Sequence, residues 1–326
     1  MLESKNFIGN KNEWDKLTLK LNNNDFRQSF SWGEYLKSTG WNLERLIFEY
    51  EGDIKFTVQY TLKKFWPICI IYLPSGINGK SSYFYDFINE IKMKYKKYLL
   101  YIRVDIRTEK KDELLNEIKK IGFSKSIYSI RSREHMKVNL EDEIDIILKN
   151  TKQKWRYNYK KALKKNIKLE RIKDLDPQEI YNLCKELSEF KSIRYLYQLK
   201  ELKEFKKNLE SYIECVRATD ENLNILGYYV CIIHDNIAYQ IFNAVNKNGN
   251  RLMAGYSILF EIIRNLKKKN IKELDLGELN QKRYPGNYQF KRGFNQRYYN
   301  VAGEYDWSSN IIIKYLINLY MLLTKA

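Results

Sequence analysis

The chain has 326 residues, room for two domains of ordinary size, and 44% of them are hydrophobic, which excludes wholesale disorder. A formal net charge of +18 favours polyanionic partners: nucleic acid, a nucleotide ligand or an anionic membrane surface. Part of the excess lysine belongs with the Asn, Ile and Tyr richness of an AT-rich coding sequence. Cys69, Cys184, Cys215 and Cys231 stand singly, no CxxC pair occurs, and His135 and His234 are the only histidines. Neither a zinc site nor a disulfide framework is expected. Cys231 and His234 lie three apart in the alternating run YYVCIIHDN, on opposite faces of a strand, which argues against a Cys/His catalytic pair. The polar first residues, MLESKNFIGNKNEW, do not read as a signal peptide, so a reduced, cytoplasmic protein is expected.

In chain order, residues 11–21 read as a short helix. A second helix runs to about Thr39, capped by Ser29 or Ser31 and ended by Gly40. Strands follow at 43–50, 55–63 and 67–73, the first two joined at Gly52-Asp53. A helix is expected over 81–97, a strand over Leu99–Val104 ending on Asp105, a helix over 109–121, and one or two strands within 127–140. Residues 149–168, KNTKQKWRYNYKKALKKNIK, hold nine Lys or Arg and no acid, with Trp155, Tyr157 and Tyr159 interleaved. Read as one helix, this stretch presents a broad cationic face in which Lys154, Arg156, Lys160 and Lys161 are candidate phosphate contacts.

The later half repeats this logic without repeating its letters. Helices are expected at 177–191 and 199–210, and strands at 212–218, 223–234 and 237–245, with Asp235-Asn236 as a hairpin turn. In GNRLMAGYSILFEIIRNLKKKN, Leu252, Tyr256, Leu259, Ile263 and Leu266 recur at helical spacing. A strand over Ile271–Leu276 again carries a terminal Asp, Asp275. A loop is then expected in which Lys282, Arg283, Lys291 and Arg292 alternate with Tyr284, Tyr288, Phe290 and Phe294 around Gly277, Gly286 and Gly293. Cations beside aromatics in such a loop suit an anionic group together with a ring or acyl chain, and Tyr284 is a candidate substrate contact. The run Ile311–Leu323 is interrupted by Lys314 and Asn318 and falls short of the about 20 residues that cross a bilayer. It reads as a helix packed on a domain, with membrane contact at most peripheral. Two successive strand–strand–strand–helix–strand units give an α+β chain with two tandem mixed sheets: 1–145, 146–302, and a helix-bearing segment 303–326 crossing back onto the first.

Several segments, in order, carry a likeness: QSFSWGEYLKSTGW, LLYIRVD, KWRYNYKKALKKNIKLE, AYQIFNAVN, and YPGNYQFKRGFNQRYYNVAGEYDW at 284–307. With QFKRGFN followed by GEY as the most specific part, the chain resembles the Fem family of peptidoglycan bridge-forming aminoacyltransferases. That family has two tandem acetyltransferase-like (GNAT) domains. The resemblance implies transfer of an amino acid from aminoacyl-tRNA to an amine of a UDP-muramyl-peptide or lipid-linked cell-wall precursor, with no separate cofactor. It implies that Lys291, in the Phe-Lys motif, stabilises the developing oxyanion beside Phe290. It places Lys37, in the W-x4-K pattern, and Arg194 on phosphates of the precursor, Asp105 as the acceptor of the amine proton, and Tyr239 on a strand facing the cleft. The chain lacks the long coiled-coil arm of larger members, so the basic segment 149–168 is the expected tRNA contact. Two alternatives remain open at this point: an acyl-CoA-dependent N-acyltransferase acting on a sugar or surface-polysaccharide intermediate, and a non-catalytic RNA-binding protein.

Overall fold

The computed structural model describes residues 2–21, 25–109, 112–191 and 197–325. These form two compact units, residues 1–133 with 300–326 and residues 134–299.

Unit one begins with strand β1 (Glu3–Asn6) and helices α1 (Lys11–Lys20) and α2 (Phe30–Ser38). Asn10 and Glu13 form a capping box that starts α1, and the Ser29 hydroxyl caps α2. Strands β2 (Asn42–Tyr50), β3 (Asp53–Phe65), β4 (Ile68–Pro74) and the two-residue β5 (Asn78–Gly79) follow. Gly52, at φ +79, makes the tight turn between β2 and β3. Helix α3 (Phe84–Lys94) then crosses to β6 (Leu99–Glu109), which pairs parallel with β4. Helix α4 (Asp112–Lys120) and the two-residue β7 (Ser124–Lys125) complete this part.

Unit two opens with β8 (Glu134–Asn139), then helices α5 (Ile144–Asn150) and α6 (Gln153–Ala162), strand β9 (Lys168–Ile172), and helices α7 (Pro177–Lys191) and α8 (Leu199–Leu209). Strands β10 (Ile213–Thr219), β11 (Ile225–His234) and β12 (Ile237–Val245) form an antiparallel meander. Helices α9 (Lys247–Leu252) and α10 (Ala254–Lys268) cross to β13 (Glu273–Glu278), which pairs parallel with β12. Helix α11 (Pro285–Phe294) follows, then β14 (Arg297–Ser308) and α12 (Ile311–Lys325).

The unit-one sheet runs β1-β2-β3-β4-β6-β14, and the unit-two sheet runs β8-β13-β12-β11-β10-β9. Each holds one parallel pair bridged by a helical crossover, so the same plan is built twice. Each has its own apolar core: Phe56, Tyr60, Phe84, Phe87 and Val104 in unit one, and Trp155, Tyr229, Leu259, Phe260 and Phe294 in unit two.

Several expectations need correction. The divisions at 145/146 and 302/303 move to 133/134 and 299/300, because β8 pairs along β13 and the 301–308 part of β14 pairs along β6. The 149–168 stretch is not one helix: α5 ends at Asn150, α6 starts at Gln153, and 168–172 is a strand. The loop expected after Gly277 contains α11. The strand expected to end on Asp105 runs on to Glu109.

Candidate active site

In unit two, a β-bulge between Asp275 and Gly277 interrupts the pairing of β13 with β8. Gly277 adopts φ +71, a conformation glycine takes without strain, and its N–H donates to Asp275 Oδ1 at 2.7 Å. Past the bulge, Pro285 occupies the first turn of α11, where its missing N–H costs no hydrogen bond, and Asn295 closes the helix in the left-handed region. This helix turns Lys291 inward. Only 3% of that residue is exposed. Its Nζ donates to the main-chain carbonyls of Leu276 and, at 3.1 Å, of Glu278. An ammonium has three N–H donors, so a third proton is left for another oxygen. Burial pushes the Lys291 pKa down to about 8, with Glu278 and Asp275 pulling the other way.

Beneath it, Asp275 is buried and accepts from Tyr299 Oη at 2.6 Å, with His135 Nδ1 3.9 Å from its other oxygen. Burial opposes the charge on Asp275, but the His135 side chain, the Tyr299 hydroxyl and the Gly277 N–H outweigh it and hold the carboxyl at about 2. Tyr239 on β12 lies directly opposite Asp275 in the parallel register. Phe290, one residue before the lysine, is half-buried in an aromatic wall, its ring 5.6 Å from Trp155 and 5.1 Å from Tyr256. A Cβ on Gly293 would stand 3.0 Å from the Trp155 ring, so a glycine lets α11 approach α6 this closely. Lys291, through its carbonyl contacts, and Tyr239, through its register with Asp275, are thus both placed on β13, with Phe290 next to the lysine in sequence. Tyr284 sits half-buried at the start of α11, with the Arg283 guanidinium 5.6 Å over its ring.

The basic helix α6 buries Trp155, Tyr159 and Ala162 and exposes Lys154, Lys160 and Lys161. Arg156 does something else. Its guanidinium donates to the carbonyls of Lys149, at 2.8 Å, and Thr151, closing the end of α5.

In unit one, Asp105 is 2% exposed and paired with Arg107 Nε at 2.7 Å, while Tyr72 Oη donates to it at 3.2 Å. Burial opposes its ionisation, but Arg107, Arg131 and Arg27 outweigh it and hold the carboxyl below the ordinary range. Glu304, opposite Asp105 on β14, behaves the other way: burial and the Asp105 charge push it up to about 7. Alongside, Arg103 donates to Asp306 at 2.8 and 3.0 Å and to Asn318 of α12 at 2.9 Å. Lys37 is largely exposed near the end of α2, with Glu34 3.9 Å away. Arg194 lies outside the described residues.

A model of the FemAB family matches residues 194–321, which include β13, α11 and Lys291. Over these residues, less than half of the chain, it is similar to the FemAB family. A crystal structure of FemX is similar with a TM-score of 0.80 at 15% identity, covering 96% of this chain and 100% of that one. The C-terminal domain (DUF2156) of a putative lysylphosphatidylglycerol synthetase from Agrobacterium fabrum gives 0.60 at 10% identity, over 96% and 98%. A tandem GNAT protein from the clavulanic acid biosynthesis pathway gives 0.59 at 11%, over 95% and 99%. At these identities the likeness is one of fold, that of a tandem GNAT-like protein. No curated protein sequence matches the chain. The sequence reading missed the carbonyl cradle of Lys291 and the Asp275–Tyr299–His135 cluster. The Asp-x-Gly of the bulge marks a turn in the sequence, but nothing there marks the tyrosine and histidine that converge on it.

Proposed function

We propose that the chain transfers an aminoacyl group from aminoacyl-tRNA to an amine of a UDP- or lipid-linked peptidoglycan precursor. The observation that carries this reading is Lys291: a buried ammonium, held by two main-chain carbonyls within the family-matched stretch, with one proton left to donate. When the acceptor amine attacks the ester carbonyl, a C–N bond forms and negative charge gathers on the carbonyl oxygen. A fixed N–H donor is worth most at that oxygen, because it is already oriented and shielded from water. Collapse then breaks the ester C–O bond, and the ribose oxygen leaves with the proton the amine gives up. Phe290 and its aromatic neighbours form the wall for the acyl group.

Lys154, Lys160 and Lys161, with exposed Tyr157 beside them, form the proposed tRNA contact. Replacing Lys160 and Lys161 by Gln is expected to raise KM for charged tRNA about tenfold and flatten its salt dependence, with kcat unchanged. The deciding assay supplies label on a pool of charged tRNAs and, separately, on acetyl-CoA, with UDP-muramyl pentapeptide and lipid-linked precursors as acceptors. Transfer from tRNA that RNase abolishes supports the reading. Transfer only from acetyl-CoA replaces the donor, and RNA binding without any transfer overturns the enzyme reading.

A further inference from the structure

Four connections leave one edge of the unit-one sheet: residues 39–41 before β2, the β3–β4 tip, residues 95–98 before β6, and residues 309–310 after β14. The register fixes this, since Asn42 lies opposite Leu62, Ile68 opposite Leu99, and Tyr101 opposite Ser308. Main-chain bonds tie the connections together: Leu99 N donates to Pro67 O at 2.8 Å and Ser309 N to Leu100 O at 2.9 Å. Asp105 lies at the other end of the parallel pair, opposite Pro74, about six residues or roughly 20 Å away.

This edge is built from aromatic and basic side chains. Trp66 at the hairpin tip is 78% exposed, with Phe65 exposed beside it and Tyr98 5.8 Å from the Trp66 ring. Lys63 lies over Trp41 and Lys64 over Tyr98, and Lys96 and Lys97 are exposed alongside. Residues 54–85 and 91–104 contain no Asp or Glu. Glu44 of β2 accepts from Lys94 at 2.6 Å and from Tyr95 at 2.7 Å. From this edge α12 departs with its polarity inverted. Asn318 is buried against Arg103 and Asp306, while Ile311, Ile312, Tyr315, Leu316, Leu319 and Leu323 face solvent.

We propose that this edge and the outer face of α12 form a docking surface for an anionic lipid bilayer. Trp and Tyr with an apolar body and a polar tip, ringed by lysines that reach headgroup phosphates, are the side chains that settle at a membrane interface. Aliphatic Ile and Leu along α12 would enter the acyl boundary, whereas they offer a nucleic acid no stacking surface. Among the described residues no helix is long and apolar enough to cross a membrane, so α12 lies along the surface. The inference is independent of the donor, and it gives the proposed lipid-linked acceptor a place from which to be reached.

The test is cosedimentation of the full chain with phosphatidylcholine vesicles, with and without phosphatidylglycerol, at low and high salt. Binding that requires phosphatidylglycerol and weakens with salt is expected. Joint substitution Phe65→Ser with Trp66→Ser, and separately Ile312→Ser with Leu316→Ser, should weaken it about tenfold while melting curves stay unchanged. Lys96→Gln with Lys97→Gln should reduce the dependence on phosphatidylglycerol. Wild-type protein that stays in the supernatant, or variants that bind like wild type, would overturn the proposal. So would a dimer in velocity sedimentation that Ile312→Ser with Leu316→Ser dissolves, with no vesicle binding. Turnover on the water-soluble UDP-linked acceptor keeps the two readings apart. Its persistence without vesicle binding sinks only the docking surface, and vesicle binding without any acyl transfer sinks only the proposed function.

Discussion

Two buried sites, one in each unit, hold charge in opposite ways. In unit one, Arg103 and Arg107 sit among Asp105, Glu304 and Asp306, so every buried ion faces one of opposite sign. In unit two, Lys291 is held chiefly by neutral main-chain carbonyls, and its nearest carboxyl groups act on it only from a distance. Mutual pairing fixes the first cluster and spends its hydrogen bonds internally. Dipoles alone hold the second, which leaves the cation with a lowered pKa and a proton still to give. The difference separates a charged core that maintains structure from a single charge poised to act on a substrate.

Removing one partner from the paired cluster should produce the largest effect. Arg103→Met strands Asp306 and Glu304 in the core and is expected to cost about 3–5 kcal/mol in denaturant unfolding. Lys291→Met should leave the melting curve near wild type, since an apolar chain suits the buried site, yet slow acyl transfer about a hundred- to a thousandfold. A variant with full activity would remove the lysine from the mechanism.

The pH profile sharpens the contrast. Because the protonated ammonium is the working form, Lys291 should give kcat/KM an alkaline limb at a pKa of about 8. An alkaline limb that persists unchanged in Lys291→Met would assign it to another group. Asp275→Asn keeps an acceptor for the Gly277 N–H but removes a negative charge that raises the Lys291 pKa, so the alkaline limb should move to lower pH. The smallest effect concerns stability. The folded chain holds the Glu304 proton more tightly than the unfolded chain, from 4.5 up to about 7. The stability it contributes is full below about 4.5 and lost as pH rises through 7. Glu304→Gln should flatten the stability curve across that window, whereas Asp105, shifted down from 3.8, acts only at lower pH.

Much of this was legible in the residues. The period-two runs and the Asp235-Asn236 turn gave β11 and β12 their bounds, and the helical spacing of Leu259, Ile263 and Leu266 marked the buried stripe of α10. Helix α11 was not legible, because Pro285, Gly286 and Gly293 read as loop punctuation. In the fold Pro285 starts the helix, and Gly293 makes room for Trp155. The break after Asn150 also escaped, since Arg156, read as a phosphate contact, instead closes α5 by binding its terminal carbonyls. The motif around Lys291 was visible, but its partners are main-chain oxygens, and a backbone carbonyl has no letter in a sequence.

The 301–308 part of β14 pairs with β6 across nearly two hundred residues, whereas unit two is continuous from 134 to 299. On the ribosome, the unit written later can therefore be finished first. Until β14 emerges, β6 waits with one edge unpaired and with Ile102, Val104 and Ile106 unfinished in their packing. The nascent chain meets its greatest exposure to misassociation late in synthesis, in its earlier half.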